Sequence, residues 1–338
     1  MQVVPAPADA VTVLPWGRRV ELRAPQVPGA GHRVLCDPGH VRRVVADLAP
    51  DRLEVHDRTA PRGLGRWARR EGVPSLVAGH RRLDPLLRQW LSARLPLDLL
   101  ADRANTAFAE AFDQVVCTSA WAETEFRRLG VANLRRVRPG VDLDRFRPDS
   151  RSAGFDGLLL VMLGRLSQDK RPDLALRAAG ELVRRGHRVR LVFAGDGPLR
   201  RTVRAAAVGA QVDLPGPVLD RDRVAELLAA ADVVLAPGPA DTTGVAALEA
   251  LACGTPVVAN VHSALPEILG AAGHCSASTP RCFADAVEQV LALDPVHRRA
   301  TARSRAEQLP WAATVEGFLR AHALPLGPGA VVGAAMHA

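Results

Sequence analysis

The second half of the chain alternates short apolar runs with amphipathic stretches. Leu158–Leu163 is a continuous apolar run that ends at Gly164, and Val189–Ala194 closes on Gly195-Asp196-Gly197-Pro198. Val212–Leu214, Val233–Ala236 and Val257–Ala259 repeat the pattern at intervals. Each run is strand-length, rich in branched residues and bounded by Gly, Pro or Asp, the mark of a buried strand. Between them the spacing predicts helices over Pro172–Arg185, with Gly186 as the stop, and over Leu199–Ala207, Asp222–Ala230, Gly244–Ala252 and Phe283–Leu293. Strict β–α alternation with nearly continuous apolar strands predicts a parallel sheet covered on both faces.

The first half carries a weaker form of the same pattern. Gln2–Pro5, Leu53–Val55, Val73–Ala78 and Gln114–Thr118 are strand candidates, Gly63–Glu71 is helical, and Ser119 caps a further helix. Asp84-Pro85 reads as an N-cap with proline at the first helical position. The helix Pro85–Arg94 places Leu86, Leu87, Trp90 and Leu91 on one face. Arg147–Ser150 is a turn-rich linker. The expectation is therefore an α/β chain of two Rossmann-like domains, 1–148 and 155–315, facing a cleft, with a disordered tail over 325–338.

Composition narrows the class. The chain has 338 residues, 48% of them hydrophobic and 24% charged, which is globular and longer than a single core of about 100–200 residues usually serves. No apolar run nears the roughly 18–20 residues of a membrane span, and the start lacks a basic region followed by an apolar stretch. A cytoplasmic protein is expected, either soluble or peripheral at the inner face of the cell membrane. Cys36, Cys117, Cys253, Cys275 and Cys282 have no C-x-x-C spacing, so neither a zinc site nor a disulfide framework is indicated. The formal net charge of +8 favours an anionic partner. Nucleic acid is disfavoured: aromatic residues are 4%, tyrosine is absent, and no nucleic-acid motif occurs. Among 44 Lys plus Arg there is a single lysine, Lys170.

Three strand-to-helix turns hold the candidate chemistry, and carboxyl ends of parallel strands line one edge. Gly164-Arg165-Leu166-Ser167-Gln168-Asp169-Lys170 sets a guanidinium fork and an ammonium directly after a strand, where they either hold phosphate oxygens or stand as solvated cations. Gly195-Asp196-Gly197-Pro198 permits a sharp turn and a close ligand approach, or is a structural turn alone. Pro237–Gly244 feeds Asp241 to a helix start whose free N–H groups, Thr243 to Val245, favour anions. Glu249, one and a half turns in, is expected to be solvated or bonded to a ligand.

These stretches, with Val115–Pro148 (Val116-Cys117-Thr118-Ser119 and Arg138-Pro139-Gly140-Val141-Asp142), resemble the retaining glycosyltransferases of family 4, of GT-B fold. Within that family the chain is most similar to actinobacterial mannosyltransferases that use GDP-mannose and act on phosphatidylinositol mannosides. Leu53-Glu54-Val55-His56-Asp57-Arg58, His80-Arg81-Arg82-Leu83-Asp84 and Ala236-Pro237-Gly238-Pro239 carry this closer likeness. The resemblance implies that Arg165 and Lys170 hold the donor diphosphate, with Gly164, Gly195, Thr243, Gly244 and Val245 lining the donor. It implies that Glu249 binds the ribose, Val218 the base, and Asp241 the sugar hydroxyls in place of the family's usual glutamate. It places His80 as the acceptor-side active-site histidine. The catalytic set is then His80, Arg165, Lys170 and Asp241, with no cofactor and no metal.

The family opens with a strand and a glycine-rich loop, whereas Gln2–Pro5 looks like its second strand and Gly29-Ala30-Gly31 comes too late to serve. The N-terminal domain is therefore expected to lack its first strand and loop, which leaves an unpaired sheet position. The Pro85–Arg94 helix, with Arg62, Arg66, Arg69 and Arg70 nearby, is either an interfacial membrane contact or a packed helix beside solvated charges. A non-catalytic nucleotide-sugar binder, or an enzyme using another donor, is the alternative.

Overall fold

The computed structural model describes residues 1–26, 33–56, 62–80, 82–83, 96–148, 155–207 and 211–325. The Pro85–Arg94 helix, Gly29–Gly31 and all of the expected tail except Pro325 lie outside these residues. The chain divides into two units, Met1–Arg138 with Val315–Ala338, and Pro139–Thr314. Residues 139–148, expected in the N-terminal domain, therefore fall in the second unit. There Val141 forms a bridge with Pro310, and Phe146 enters the core.

In unit 1, β1 (Gln2–Ala6), β2 (Ala10–Leu14) and β3 (Gly17–Arg23) form one sheet of order β1-β3-β2. Helix α1 (Pro38–Asp47) precedes β4 (Leu53–Val55), α2 (Arg62–Arg70), β5 (Ser75–Ala78), α3 (Leu97–Ala111), β6 (Gln114–Cys117), α4 (Ala120–Arg128) and β7 (Leu134–Arg136). Strands β4 to β7 pair in parallel in sequence order. One core serves both sheets: Val3, Val20 and Leu22 pack in the same cluster as Leu53, Val55, Val77, Val115 and Phe126. Among the described residues β1 and β4 are each an edge of their sheet. Helix α4 starts as its sequence predicts, with the Ser119 hydroxyl accepting from the Ala122 N–H at 3.1 Å.

Unit 2 holds β8 (Leu158–Leu163), α5 (Pro172–Arg184), β9 (Val189–Ala194), α6 (Arg200–Ala205), β10 (Gln211–Gly216), α7 (Arg221–Ala230) and β11 (Val233–Ala236). It continues through α8 (Val245–Ala252), β12 (Val257–Asn260), α9 (Leu265–Leu269), β13 (Gly273–Ser276), α10 (Pro280–Leu291) and α11 (Pro295–Glu307). The final helix, α12 (Trp311–Ala321), starts here and from Val315 belongs to unit 1. The six strands are all parallel, in the order β10-β9-β8-β11-β12-β13. Successive residues of β8 serve opposite cores, Leu159 and Val161 on one face and Leu158, Leu160 and Met162 on the other. That period of two with both faces apolar explains the unbroken runs in the sequence.

The order places β9 on one side of β8 and β11 on the other. The chain therefore reverses its direction of winding beside β8, and the loops after β8, β9 and β11 open at this switch point, where α/β sheets bind ligands.

Candidate active site

The three loops after β8, β9 and β11 are locked to one another by backbone contacts. The Leu166 N–H donates to the Asp196 carbonyl and the Leu199 N–H to the Leu166 carbonyl, each at 2.9 Å. A side chain at Gly195 would overlap the Gly164 carbonyl, and one at Gly238 would come within 2.6 Å of the Asp169 carbonyl. Gly195 and Gly238 are thus needed so that the loops can approach at backbone distance.

This packing brings Lys170 to Asp241 across 71 residues of sequence: Nζ donates to Oδ2 at 2.9 Å. Both side chains are partly buried, 27% and 16% exposed, so the pair is accessible to a ligand without being a bulk-solvent ion pair. Asp241 Oδ1 also accepts from the Gly244 N–H at 3.4 Å, so this amide is not free as expected. Gly244 sits at φ 59°, and a side chain there would strike Leu265 and Ile268. It turns the loop into α8, leaving Val245 exposed and Thr243 half-buried at the helix start. Arg165 lies half-buried in the first loop. Val218 follows β10, packed on the edge of the core.

Glu249 is not solvated, and the chain itself supplies it with a cationic partner. It is 4% exposed and ion-paired with Arg221, whose guanidinium also lies 5.0 Å from the centre of the Phe146 ring. Burial raises the Glu249 carboxyl above its ordinary range, and the opposing pull of Arg221 does not cancel it. Arg221 was not foreseen, because its pairing joins separate helices with no local spacing.

In unit 1, His80 follows β5. Its Nε2 lies 2.7 Å from His56 Nδ1, and the two rings stack at 5.1 Å. Glu54 and His322 extend this cluster. The sequence signal was Glu54-x-His56, since alternate positions of a strand share a face; His322, from the end of α12, had none. The described residues contain no group of three His, Cys, Asp or Glu side chains able to hold a metal ion, and no helix long and apolar enough to cross a membrane.

Two family models match: "Glycosyltransferase Family 4" over residues 3–145 and "Glycosyl transferases group 1" over residues 157–293. A GDP-mannose-dependent α-(1-6)-phosphatidylinositol dimannoside mannosyltransferase of Mycobacterium tuberculosis is 44% identical over 301 residues, covering 87% of this chain and 79% of the relative. The chain belongs to glycosyltransferase family 4. This glycosyltransferase is also 34% identical over 224 residues to a D-inositol 3-phosphate glycosyltransferase of Mycobacterium leprae, covering 59% of this chain and 51% of the relative. Among solved structures, sucrose-phosphate synthase of Thermosynechococcus elongatus superposes with a TM-score of 0.71 at 22% identity, over 94% of this chain and 86% of that one. Anabaena HepE in complex with UDP and glucose gives 0.68 at 16% identity, over 89% and 85%. These neighbours share the glycosyltransferase's fold, GT-B, with its Rossmann-like domains.

Proposed function

We propose that this glycosyltransferase moves mannose from GDP-mannose, with retention, onto a phosphatidylinositol mannoside. The observation that carries the donor assignment is the Lys170–Asp241 pair at the switch point, flanked by Arg165 and the start of α8. A cation and a carboxylate held side by side suit a sugar nucleotide. Lys170 and Arg165 would take the diphosphate oxygens, and Asp241, released from Lys170, would accept from sugar hydroxyls. Thr243, Gly244 and Val245 would line the phosphates. Glu249 would share its carboxylate between Arg221 and the ribose, with Val218 against the base and His80 near the sugar.

In the reaction the bond from sugar C1 to the phosphate oxygen breaks, and a bond from the acceptor oxygen to C1 forms on the same face. The acceptor proton passes to the departing diphosphate. Charge develops on that diphosphate in a sugar-cation-like transition state, where Arg165 and Lys170 stabilise it. In this reading no metal takes part. A lipid-linked acceptor implies work at the inner face of the membrane, which the exposed Arg66, Arg69 and Arg70 of α2 favour by attraction to anionic lipid.

The test is mass-spectrometric detection of product from a small panel of sugar nucleotides with phosphatidylinositol mannoside as acceptor, and the anomeric configuration by NMR. Hexose addition from GDP-mannose with an α linkage supports the proposal. Product from a UDP-sugar alone, or GDP-mannose binding without transfer, rejects it. Flotation with phosphatidylinositol vesicles tests the membrane part, and failure to float rejects that part.

A further inference from the structure

At the carboxyl ends of β4 and β5, four side chains form an unbroken chain of hydrogen bonds. His80 Nε2 meets His56 Nδ1 at 2.7 Å, and His56 Nε2 meets Glu54 Oε1 at 2.5 Å. Glu54 Oε2 accepts from His322 Nε2 at 2.9 Å, and the His322 carbonyl accepts from Arg52 Nη1 at 2.6 Å. The His56 and His80 rings are nearly parallel, 13° apart, with Phe318 at 6.2 Å from His56. His322 is only 10% exposed and Glu54 34%, while His56 is half-exposed.

The charges set the direction of the chain. Burial opposes ionisation of Glu54, but the hydrogen bonds from His322 and His56 outweigh it and bring the carboxyl down to about 2. Glu54 is therefore an anion at any working pH and accepts at both oxygens, so His322 and His56 each present an Nε2–H to it. A neutral His56 then has an accepting Nδ1, and His80 must present its Nε2–H to that atom.

We infer that His56, anchored by Glu54 and His322, is a positioning residue for His80: it fixes the plane of the His80 ring and holds it as the Nε2–H tautomer, with Nδ1 as the proton-accepting atom. This rests on the proposed place of His80 beside the sugar. It adds three residues, Glu54, His56 and His322, that act through His80 and do not touch the substrate.

The test is long-range proton–nitrogen NMR of the whole chain labelled at histidine, with His signals assigned by substitution, alongside kinetics and melting temperature. In the wild type His80 is expected as Nε2–H. His56→Phe keeps the stacking but offers no acceptor, so His80 should become a tautomer mixture. His56→Asn supplies an oxygen in place of Nδ1 and should restore the Nε2–H form. Glu54→Leu removes the acceptor that fixes the His56 Nε2–H and should likewise leave His80 a tautomer mixture. A mixture of the two tautomers leaves about half of His80 in the Nε2–H form, so His56→Phe should reduce kcat about twofold or more, with donor KM nearly unchanged. An unchanged His80 tautomer in His56→Phe, with melting as in the wild type, overturns the inference. If the tautomer follows His56 but His80→Gln transfers sugar at the wild-type rate, the positioning stands and the reading of His80 at the sugar fails.

Discussion

Replacing Arg221 by leucine leaves the Glu249 carboxylate where it is, 4% exposed, without the guanidinium that faces it. The wild-type pair is a near balance, because burial already raises the Glu249 carboxyl despite Arg221. Such a pair adds little net stability, yet removing one partner strands a buried charge at about 3–5 kcal/mol. The carboxyl can escape that cost by binding a proton, so the loss depends on pH. With its folded pKa above the unfolded value, the folded state holds the extra proton, and stability falls as pH rises from the unfolded value through the folded one. Arg221→Leu raises the folded value further and extends this window upward. The expected loss is about 3 kcal/mol near pH 8, shrinking toward pH 5. Arg221→Leu with Glu249→Leu should return to within about 1 kcal/mol of the wild type, because leucine on both sides leaves no charge to solvate. Urea unfolding followed by circular dichroism at the two pH values measures all three proteins. Equal losses at both pH values, or a double variant as unstable as the single, would refute the reasoning.

Three further outcomes are expected. Lys170→Ala should weaken GDP binding about tenfold or more, the worth of one charge-assisted contact, as read by calorimetry; unchanged affinity removes Lys170 from the diphosphate site. Glu54, held down to about 2, stabilises the fold above its unfolded value near 4.5, and this contribution is lost as pH falls from there toward 2. Discounted for its partial exposure that contribution is about 1 kcal/mol, so the gap in stability between wild type and Glu54→Gln should close over that range. Burial pushes the Cys253 thiol up to about 12, so in native protein near pH 8 a thiol reagent should label the exposed Cys36 and spare Cys253. Labelling of Cys253 at the rate of Cys36 would contradict its burial.

The strands β8, β9, β11 and β12 of unit 2 were legible because both of their faces are largely buried, which leaves short apolar runs in the sequence. β8, β9 and β11 fall where those runs fall. β10 extends to Gln211–Gly216, beyond Val212–Leu214, because as an edge strand paired only with β9 it tolerates polar and exposed residues. β2, also an edge strand, was missed for the same reason: Val11 and Val13 are 66% and 80% exposed, so no buried face marks it. α3 was missed because Pro96 precedes it without a side-chain cap, and it buries Ala101 and Asn105 alongside Phe108. In the site, glycines and cations after strands showed in the sequence. The partners of Lys170 and Glu249 did not, since Asp241 and Arg221 reach them only after the sheet has ordered its loops.

Net charge proved a poor guide to where an anion belongs. Three arginines of α11 are committed to backbone carbonyls: Arg299 to Ala231 at 2.7 Å, Arg303 to Ala252 at 2.9 Å and Phe146 at 2.8 Å, and Arg305 to Glu267 and Ile268 at 2.7 Å each. Except for that of Phe146, these carbonyls end α7 and α8 or belong to the short α9, where the last turns of helices leave acceptors without intrahelical donors. A planar guanidinium answers two or three of them at once, which an ammonium does not do with the same geometry. Such arginines cannot turn to a ligand without uncovering the helix ends they close. Lys170 differs in kind: its ammonium is paired with Asp241, a side chain able to rotate away from it, and both stand at the edge of the sheet where three loops open. Exchangeable pairing at the switch point, and not the surplus of positive charge, is the observation on which the proposed diphosphate site rests.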